Sequence, residues 1–338
     1  MMKAKHLLFY GIAALVLCIF FISCTESYDQ YSGEAYPRSC GLNLALATAC
    51  LAENFDEFAV SAEVTIEDLI ELVWIAGGTF TMGSPANEPG RRDNEGPQHT
   101  VTVSGFYMAK HPITQEQWAV VMGADHGFFR GADHPPAPGE IQGRRPADSV
   151  SWYNAIVFSN RLSILRGRTP VYSINGSTNP DNWGTLPTGN NPAWNRVAVN
   201  WNADGYRLPT EAEWEFACRA GTTTAYNTGN TISADDAWFW PHSNRMTRQT
   251  GLLPANAWGL YDMHGNVWEW VWDRFGDYTA DAKTDPRGPN SGVSRVIRGG
   301  SWYNDAADLR SALRLHVNPW NGFHFYGFRV VRSRQSTE

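Results

Sequence analysis

No cysteine follows Cys218 in this 338-residue chain. Its five cysteines (Cys18, Cys24, Cys40, Cys50 and Cys218) form no CxxC and no Cys/His pair at metal-ligand spacing. That excludes a structural zinc finger and a thioredoxin-like dithiol. His99, His111, His134, His242 and His264 likewise lack the paired spacing of a transition-metal site. Charge is scarce: 18% of residues are charged against 43% hydrophobic, a balance opposite to that of a disordered chain. With net charge −7 and no basic stripe, the chain is not expected to bind nucleic acid. There is no fixed-period repeat, and no heptad run or flat apolar stripe calls for an obligate assembly, so a monomer is expected.

What is abundant is tryptophan, at 15 residues, beside 31 glycines and 19 prolines. This points to a loop-rich fold pinned by large aromatics. The one long apolar run, Leu7 to Ile22 after Lys3 and Lys5, is too short and too early for a stable membrane span and reads as a signal. It ends Phe21-Ile22-Ser23-Cys24, similar to a bacterial lipobox with Phe21 where leucine is commonest. Residues 1–23 are then a lipoprotein signal peptide and Cys24 the lipidated first residue, anchoring the protein to the bacterial outer surface. The alternative is an ordinary cleaved signal with an incidental cysteine. Export would permit a Cys40–Cys50 disulfide, which spacing alone does not establish.

Residues 24–72 read as a spacer and an N-terminal helical segment, with a short helix capped by Thr65. The main domain, 73–333, opens with Trp74-Ile75-Ala76-Gly77-Gly78-Thr79-Phe80-Thr81-Met82-Gly83, expected as strand, Gly-Gly turn and strand. His99 to Val103 alternates as a half-buried strand that Phe106 to Ala109 continues. Capping boxes at Thr114/Gln117 and Thr210/Glu213 predict two helix starts, and a third helix runs from Trp152 to Leu165. Residues 169–205 read as a long ordered loop with short strands, and Gly259 to Trp270 as a turn-rich stretch. No clustered acid, base and nucleophile is apparent.

The C-terminal stretch organises the rest. Arg295-Val296-Ile297-Arg298-Gly299-Gly300-Ser301-Trp302 and Gly327-Phe328-Arg329-Val330-Val331 read as framework. Between them, Tyr303 to Tyr326 mixes aromatics with Asn, Asp and His and shows neither helical nor strand periodicity. An irregular aromatic segment held between two braces suits a binding surface. The window contains no Met, Gln, Lys or Glu and a single Trp. That is the spectrum expected when the adenines of asparagine AAY codons are randomised.

Gly78-Thr79-Phe80-Thr81-Met82-Gly83-Ser84, Pro112-Ile113-Thr114, Arg207 to Glu215, Gly265-Asn266-Val267-Trp268-Glu269-Trp270, Arg298-Gly299-Gly300-Ser301-Trp302 and Gly327-Phe328-Arg329 occur in one order. As an ordered set they resemble the formylglycine-generating enzyme (sulfatase-modifying factor) family. The resemblance implies an α+β, C-type-lectin-like fold, loop-rich, with small antiparallel sheets and a few helices. The family's oxidase uses two cysteines beyond the Arg-Gly-Gly-Ser motif, where this chain has Asn304 and Leu309. Neither can supply a thiolate or a soft metal ligand.

The chain thus looks like the branch of that family whose C-terminal segment is varied by a diversity-generating retroelement. On that resemblance the ligand-contacting, variable residues are Tyr303, Asn304, Asp305, Leu313, Leu315, His316, Val317, Asn318, Asn321, Phe323, His324, Phe325 and Tyr326, with Trp320 as an aromatic neighbour. Leu309 and Ala312 are assigned to the core. The partner would be a protein or glycan outside the cell. A family calcium site would carry over to Asp262 and Glu269 by side chain and to Gly265 and Val267 by carbonyl. The alternative is that both carboxylates bond backbone amides in a turn. A second family metal site is not expected, since Trp238 stands where an Asn ligand would be. No organic cofactor is expected. Two other readings remain: a metal-assisted, cysteine-independent enzyme of the superfamily, and an invariant accessory lipoprotein.

Overall fold

A computed structural model describes residues 69–334, together with the backbone of two short antiparallel strands, Glu26–Tyr28 (β1) and Ala35–Pro37 (β2). These two belong to a compact unit that ends at Glu63; the second unit begins at Val64 and holds all the remaining elements. The signal segment, Cys24, Cys40, Cys50 and the Thr65 cap lie outside the described residues.

In the second unit, Leu72–Ile75 (β3), Gly78–Met82 (β4), His99–Val103 (β5) and Phe106–Ala109 (β6) come first. The expected hairpin around Gly77-Gly78 does not form. β3 pairs antiparallel with β6, and β4 with β5. Gly77 therefore passes the chain between two sheets, and a Cβ there would stand 2.6 Å from the Val103 carbonyl oxygen. For the same reason β6 does not continue β5: the chain breaks at Ser104-Gly105 and changes sheet.

Helix α1 (Gln115–Met122) starts at the expected capping box. The Gln117 N–H donates to Thr114 Oγ1, and the Thr114 N–H donates to Gln117 Oε1. It stops at Gly123, whose φ of +75° is left-handed. Helix α2 (Trp152–Leu165) is capped by Ser151 and buries more than one apolar face, including Asn160. Asn160 remains satisfied because it bonds the Tyr172 and Thr178 carbonyls and accepts from the Tyr172 N–H. That exchange ties the long loop to the core. Within the loop lie Tyr172–Ser173 (β7), a single helical turn Pro192–Asn195 (α3) and Ala198–Val199 (β8).

Tyr206–Arg207 (β9) leads into Glu211–Arg219 (α4), capped by Thr210 and Glu213. The stretch expected to be turn-rich runs into the longest strand among the described residues, Trp268–Arg274 (β10), with five apolar side chains buried in it or beside it. Lys283–Thr284 (β11), Arg295–Arg298 (β12), Arg314–Val317 (β13), Tyr326–Gly327 (β14) and Val331–Ser333 (β15) complete the chain. The sheets are ordered β13-β12-β10-β14, β11-β5-β4 and β3-β6-β15-β9, with β7-β8 as a small pair. The fold is α+β with few helices and small, mostly antiparallel sheets.

One core packs α2 against Trp268, Trp270, Trp272, Ile297 and Phe328; another gathers Val101, Phe106, Trp214 and Val296. Between them run buried ion pairs. Arg329 forks onto Glu269 with two bonds of 2.7 Å, and Arg207 does the same to Glu213. Arg298 meets Glu215, which also receives Arg219 at 2.9 Å. Buried charges persist only when paired and hydrogen-bonded, so each arginine fixes the strand that carries it. Replacing Arg329 with Met, which strands Glu269 in the core, is expected to cost about 3–5 kcal/mol. Urea unfolding measures this, and a loss under about 1 kcal/mol would contradict the assignment.

Candidate functional site

The window between the two braces divides into bolted and free parts. Gly299 and Gly300 have φ of +91° and +74°, turning the chain out of β12. A Cβ on Gly300 would stand 2.8 Å from Leu309 Cδ1, so the segment folds back tightly on itself. Leu309 sits in a small core with Ala225, Tyr226, Ala237 and Phe239. Arg310 forks onto Glu95 (2.6 and 2.7 Å) and reaches Glu88 at 2.6 Å. Four residues later Arg314 forks onto Glu211, both bonds 2.7 Å. Arg298 caps the carbonyls of Ser311, Ala312 and Leu313. Residues 309–314 are therefore structural.

Three of the expected contact residues belong with this framework. Leu313 is fully buried in the main core. Tyr326 is buried against Trp270, 5.4 Å between ring centres, in strand β14. The Asn304 side chain is used internally: its Oδ1 accepts from Trp268 Nε1 and Ser301 Oγ, and its Nδ2 donates to Asp308. Apolar burial explains the first two, and hydrogen-bond saturation the third.

The others reach the surface. Tyr303, Asp305, His316, Asn318 and Phe323 are exposed; Leu315, Val317, Trp320, Asn321, His324 and Phe325 are half-buried. Tyr303, Phe323, His324 and Phe325 come together: Tyr303 and Phe323 lie parallel to Phe325 at 6.3 and 5.7 Å, and His324 is edge-on to it at 5.1 Å. His316 departs from this group and stacks on Phe275 at 4.1 Å. Leu315, Val317, Trp320 and Phe325 lean on the main core with one side.

Sequence reasoning missed two members of this face. Phe128, exposed on the loop after α1, lies 5.0 Å from His324 and 4.2 Å from His134. The loop is rigidly held: Asp148, fully buried, accepts from the Phe128 and Phe129 N–H groups at 2.6 and 3.1 Å. Burial pushes the Asp148 carboxyl upward. Ser149, at φ +62°, donates its N–H to the Phe323 carbonyl. A Cβ on Gly322 would stand 2.4 Å from Ser149 O, so loop 318–325 is pressed onto residues 148–150. The available signal was the aromatic pair Phe128-Phe129 between Gly127 and Gly131 in an otherwise polar loop.

The residues carried over for calcium do not fit it as arranged. Both oxygens of Glu269 are taken by Arg329, and one also by Trp214 Nε1. Asp262 accepts from the Gly251 N–H and from Asn266 Nδ2. Gly265 and Val267 lie just before β10, with Val267 buried. Calcium needs several oxygens free of competing cations, and Arg329 already answers the Glu269 charge. Among the described residues no cluster of three or more His, Cys, Asp or Glu could hold a metal. Thiol chemistry is equally poorly served. Burial pushes the Cys218 thiol up to about 12, and its neighbour His264, at 3.7 Å, is pushed down to about 4 by burial. Neither forms a reactive thiolate–imidazolium pair at neutral pH.

Two outcomes follow from this geometry. Tyr303→Ala and Phe323→Ala are expected to change stability by no more than about 0.5 kcal/mol, whereas Leu313→Ala costs about 2–5 kcal/mol; chemical denaturation of the three variants measures both. His264, neutral in the fold, has a folded pKa below its unfolded value. Its contribution is full above pH 6.5 and is lost as pH falls toward about 4. The pH profile of the melting temperature should flatten over that interval in His264→Gln, and an identical profile would contradict this.

Comparison with known proteins agrees with the geometry. The family model for the sulfatase-modifying factor enzyme 1-like domain matches residues 57–334. The solved structure of Treponema denticola variable protein 1 superposes with a TM-score of 0.71 at 36% identity, covering 78% of this chain and 95% of that one. The chain is 30% identical over 298 residues to the chaperone protein LppX of Paenibacillus barcinonensis, covering 82% of this chain and 93% of the relative. It is 30% identical over 259 residues to the formylglycine-generating enzyme of Thermomonospora curvata, covering 68% and 82%. The relatives thus include both enzymes and a variable protein. From its motifs, its fold and these matches, the chain belongs to the sulfatase-modifying factor enzyme 1-like domain family.

Proposed function

We propose that this protein is a non-catalytic, surface-displayed lipoprotein, anchored through Cys24, that binds a protein or glycan ligand through a variable C-terminal face. The single observation that carries the reading is the division within the window. Leu309 to Arg314 is buried and ion-paired, while Tyr303, Asp305, His316, Asn318 and Phe323 point to solvent and Leu315, Val317, Trp320, Asn321, His324 and Phe325 stand half-exposed. Residues that select a ligand change most freely where they carry little of the packing, and rigid aromatics give contact area at low entropic cost. Asn304 and Leu309, at the oxidase's cysteine positions, argue against thiol-based catalysis. Similarity to Treponema denticola variable protein 1 supports the same reading.

Sequencing the 3′ end of this gene in sister isolates tests it. Substitutions are expected at the exposed positions, confined to codons derived from AAY, with Arg310, Ser311, Ala312, Leu313 and Arg314 constant. Identical windows in all isolates would leave an invariant accessory protein, or an enzyme, as the better account. Labelling with radioactive palmitate tests the anchor separately: incorporation is expected in the whole protein and not in Cys24→Ser.

A further inference from the structure

The long loop 169–205 contributes nothing to the variable face, yet Asn160 ties it to the core. Loops of this length within a compact domain usually carry a function of their own. This one walls a cleft of about 370 Å³ above α2, within the range of small-molecule sites. Asn154, Val157 and Arg161, three and four residues apart and so on one helix face, form its floor. Met122, at the end of α1, and Pro180, Leu186 and Trp194 of the loop give it apolar walls. None of these residues belongs to the variable face.

The hydrogen bonds left unmade indicate what it would take. Trp194 is held edge-on to Tyr153 and Trp183, at 5.3 and 5.7 Å between ring centres, and is 3% exposed. Its indole N–H has no acceptor among the described residues and is not sealed in the core; it opens where Trp194 lines the cleft. Buried indole N–H groups usually find a partner. Asn154 uses Oδ1 for the Ser151 N–H and hydroxyl, at 3.1 and 2.7 Å, and its Nδ2 has no partner among the described residues. Arg161, by contrast, is answered: Nη2 donates to Asp181 Oδ1 at 2.8 Å, and Nη1 reaches the Met122 carbonyl at 3.4 Å. Asp181 is exposed at the rim. Inside the rim, the uncommitted side-chain groups are therefore two neutral N–H donors among apolar walls. No free cation is there to hold an acid.

We propose that this cleft binds a small, neutral, largely apolar molecule carrying a carbonyl group, such as a ketone or an amide. Its apolar body lies against Met122, Val157, Leu186 and Trp194, and its carbonyl oxygen accepts from the Trp194 indole N–H. A carbonyl oxygen is a pure acceptor and matches a site whose free groups only donate. A carboxylate would lose its hydration beside Asp181 and gain no counter-charge. The site is independent of the variable face and of whatever ligand that face takes.

Ligand-detected NMR titration on the full chain tests the proposal, with acetophenone and benzamide as probes and ethylbenzene and benzoate as controls. Saturable binding of at least one probe is expected. Ethylbenzene, which keeps the apolar body and lacks the acceptor, and benzoate, which adds a charge, should each bind at least about fivefold more weakly. Trp194→Phe keeps an aromatic ring and removes the N–H, and should weaken the probe by about fivefold. Leu186→Trp, on a half-buried wall residue, should fill the cleft and abolish binding. Circular dichroism establishes that each variant is folded before it is titrated. The proposal is overturned if neither probe binds saturably in the millimolar range, if either control binds as well as the probes, or if either folded variant binds as the native chain does.

Discussion

A guanidinium taken out of water needs carboxylates, carbonyls or aromatic faces close by to hold its charge, and this molecule takes six of them almost wholly inside: Arg145, Arg295, Arg298, Arg310, Arg314 and Arg329. Arg298, Arg310, Arg314 and Arg329 end on glutamates that come from distant parts of the chain, Glu215, Glu95, Glu211 and Glu269. Arg295 pairs with no carboxylate among the described residues. It lies between the indoles of Trp152 and Trp272, at 3.8 and 4.8 Å, and donates to the Trp272 carbonyl. Burial pushes it down to about 9. Because forked pairs tolerate little displacement, these arginines set the backbone path of the last forty residues far more firmly than its short strands could.

That constraint gives the window its character. Arg310 and Arg314 stand inside it, so its middle is locked by charge and its flanks are supported from below by Leu313, Phe328 and the tryptophans of β10. Residues on the outer side carry little of this load. Phe128 and His134 add a fixed edge, the first clamped through Asp148 and the second through Arg145, which donates to the His134 carbonyl at 2.9 Å. A ligand surface of this kind is stiff where it stands and open in what it displays, as in antibody frameworks.

Much of this was legible in the sequence. Capping boxes located α1 and α4 because side-chain-to-backbone bonds are local and have a fixed spacing. The arginine braces were recognisable from their alternation with apolar residues. Which carboxylate each arginine would meet was not, since Arg310–Glu95 joins residues far apart in sequence. Strand pairing failed at Gly77-Gly78 for a related reason: a turn-like dipeptide also serves to cross between sheets, and only the partner strand decides. Within the window, composition could not separate Leu313 from Leu315, because residues two apart share a strand face; what separates them is that Leu313 precedes β13 and is held in the core, its carbonyl bonded by Arg298, while Leu315 lies within the strand and is half-buried. Asn304 looked like a contact residue and proved to be a hydrogen-bond hub, an outcome fixed by Trp268 and Asp308 in space.

The central claim is that backbone geometry along residues 303–326 is independent of the side chains displayed there. The most direct measurement is a crystal structure of a variant in which Tyr303, Asp305, His316, Asn318, Asn321, Phe323, His324 and Phe325 are all replaced by serine. The account predicts that the window backbone superposes on the native one within about 1 Å, with Arg310 and Arg314 still forked onto Glu95 and Glu211. A window that collapses inward, or arginines released from those glutamates, would contradict it.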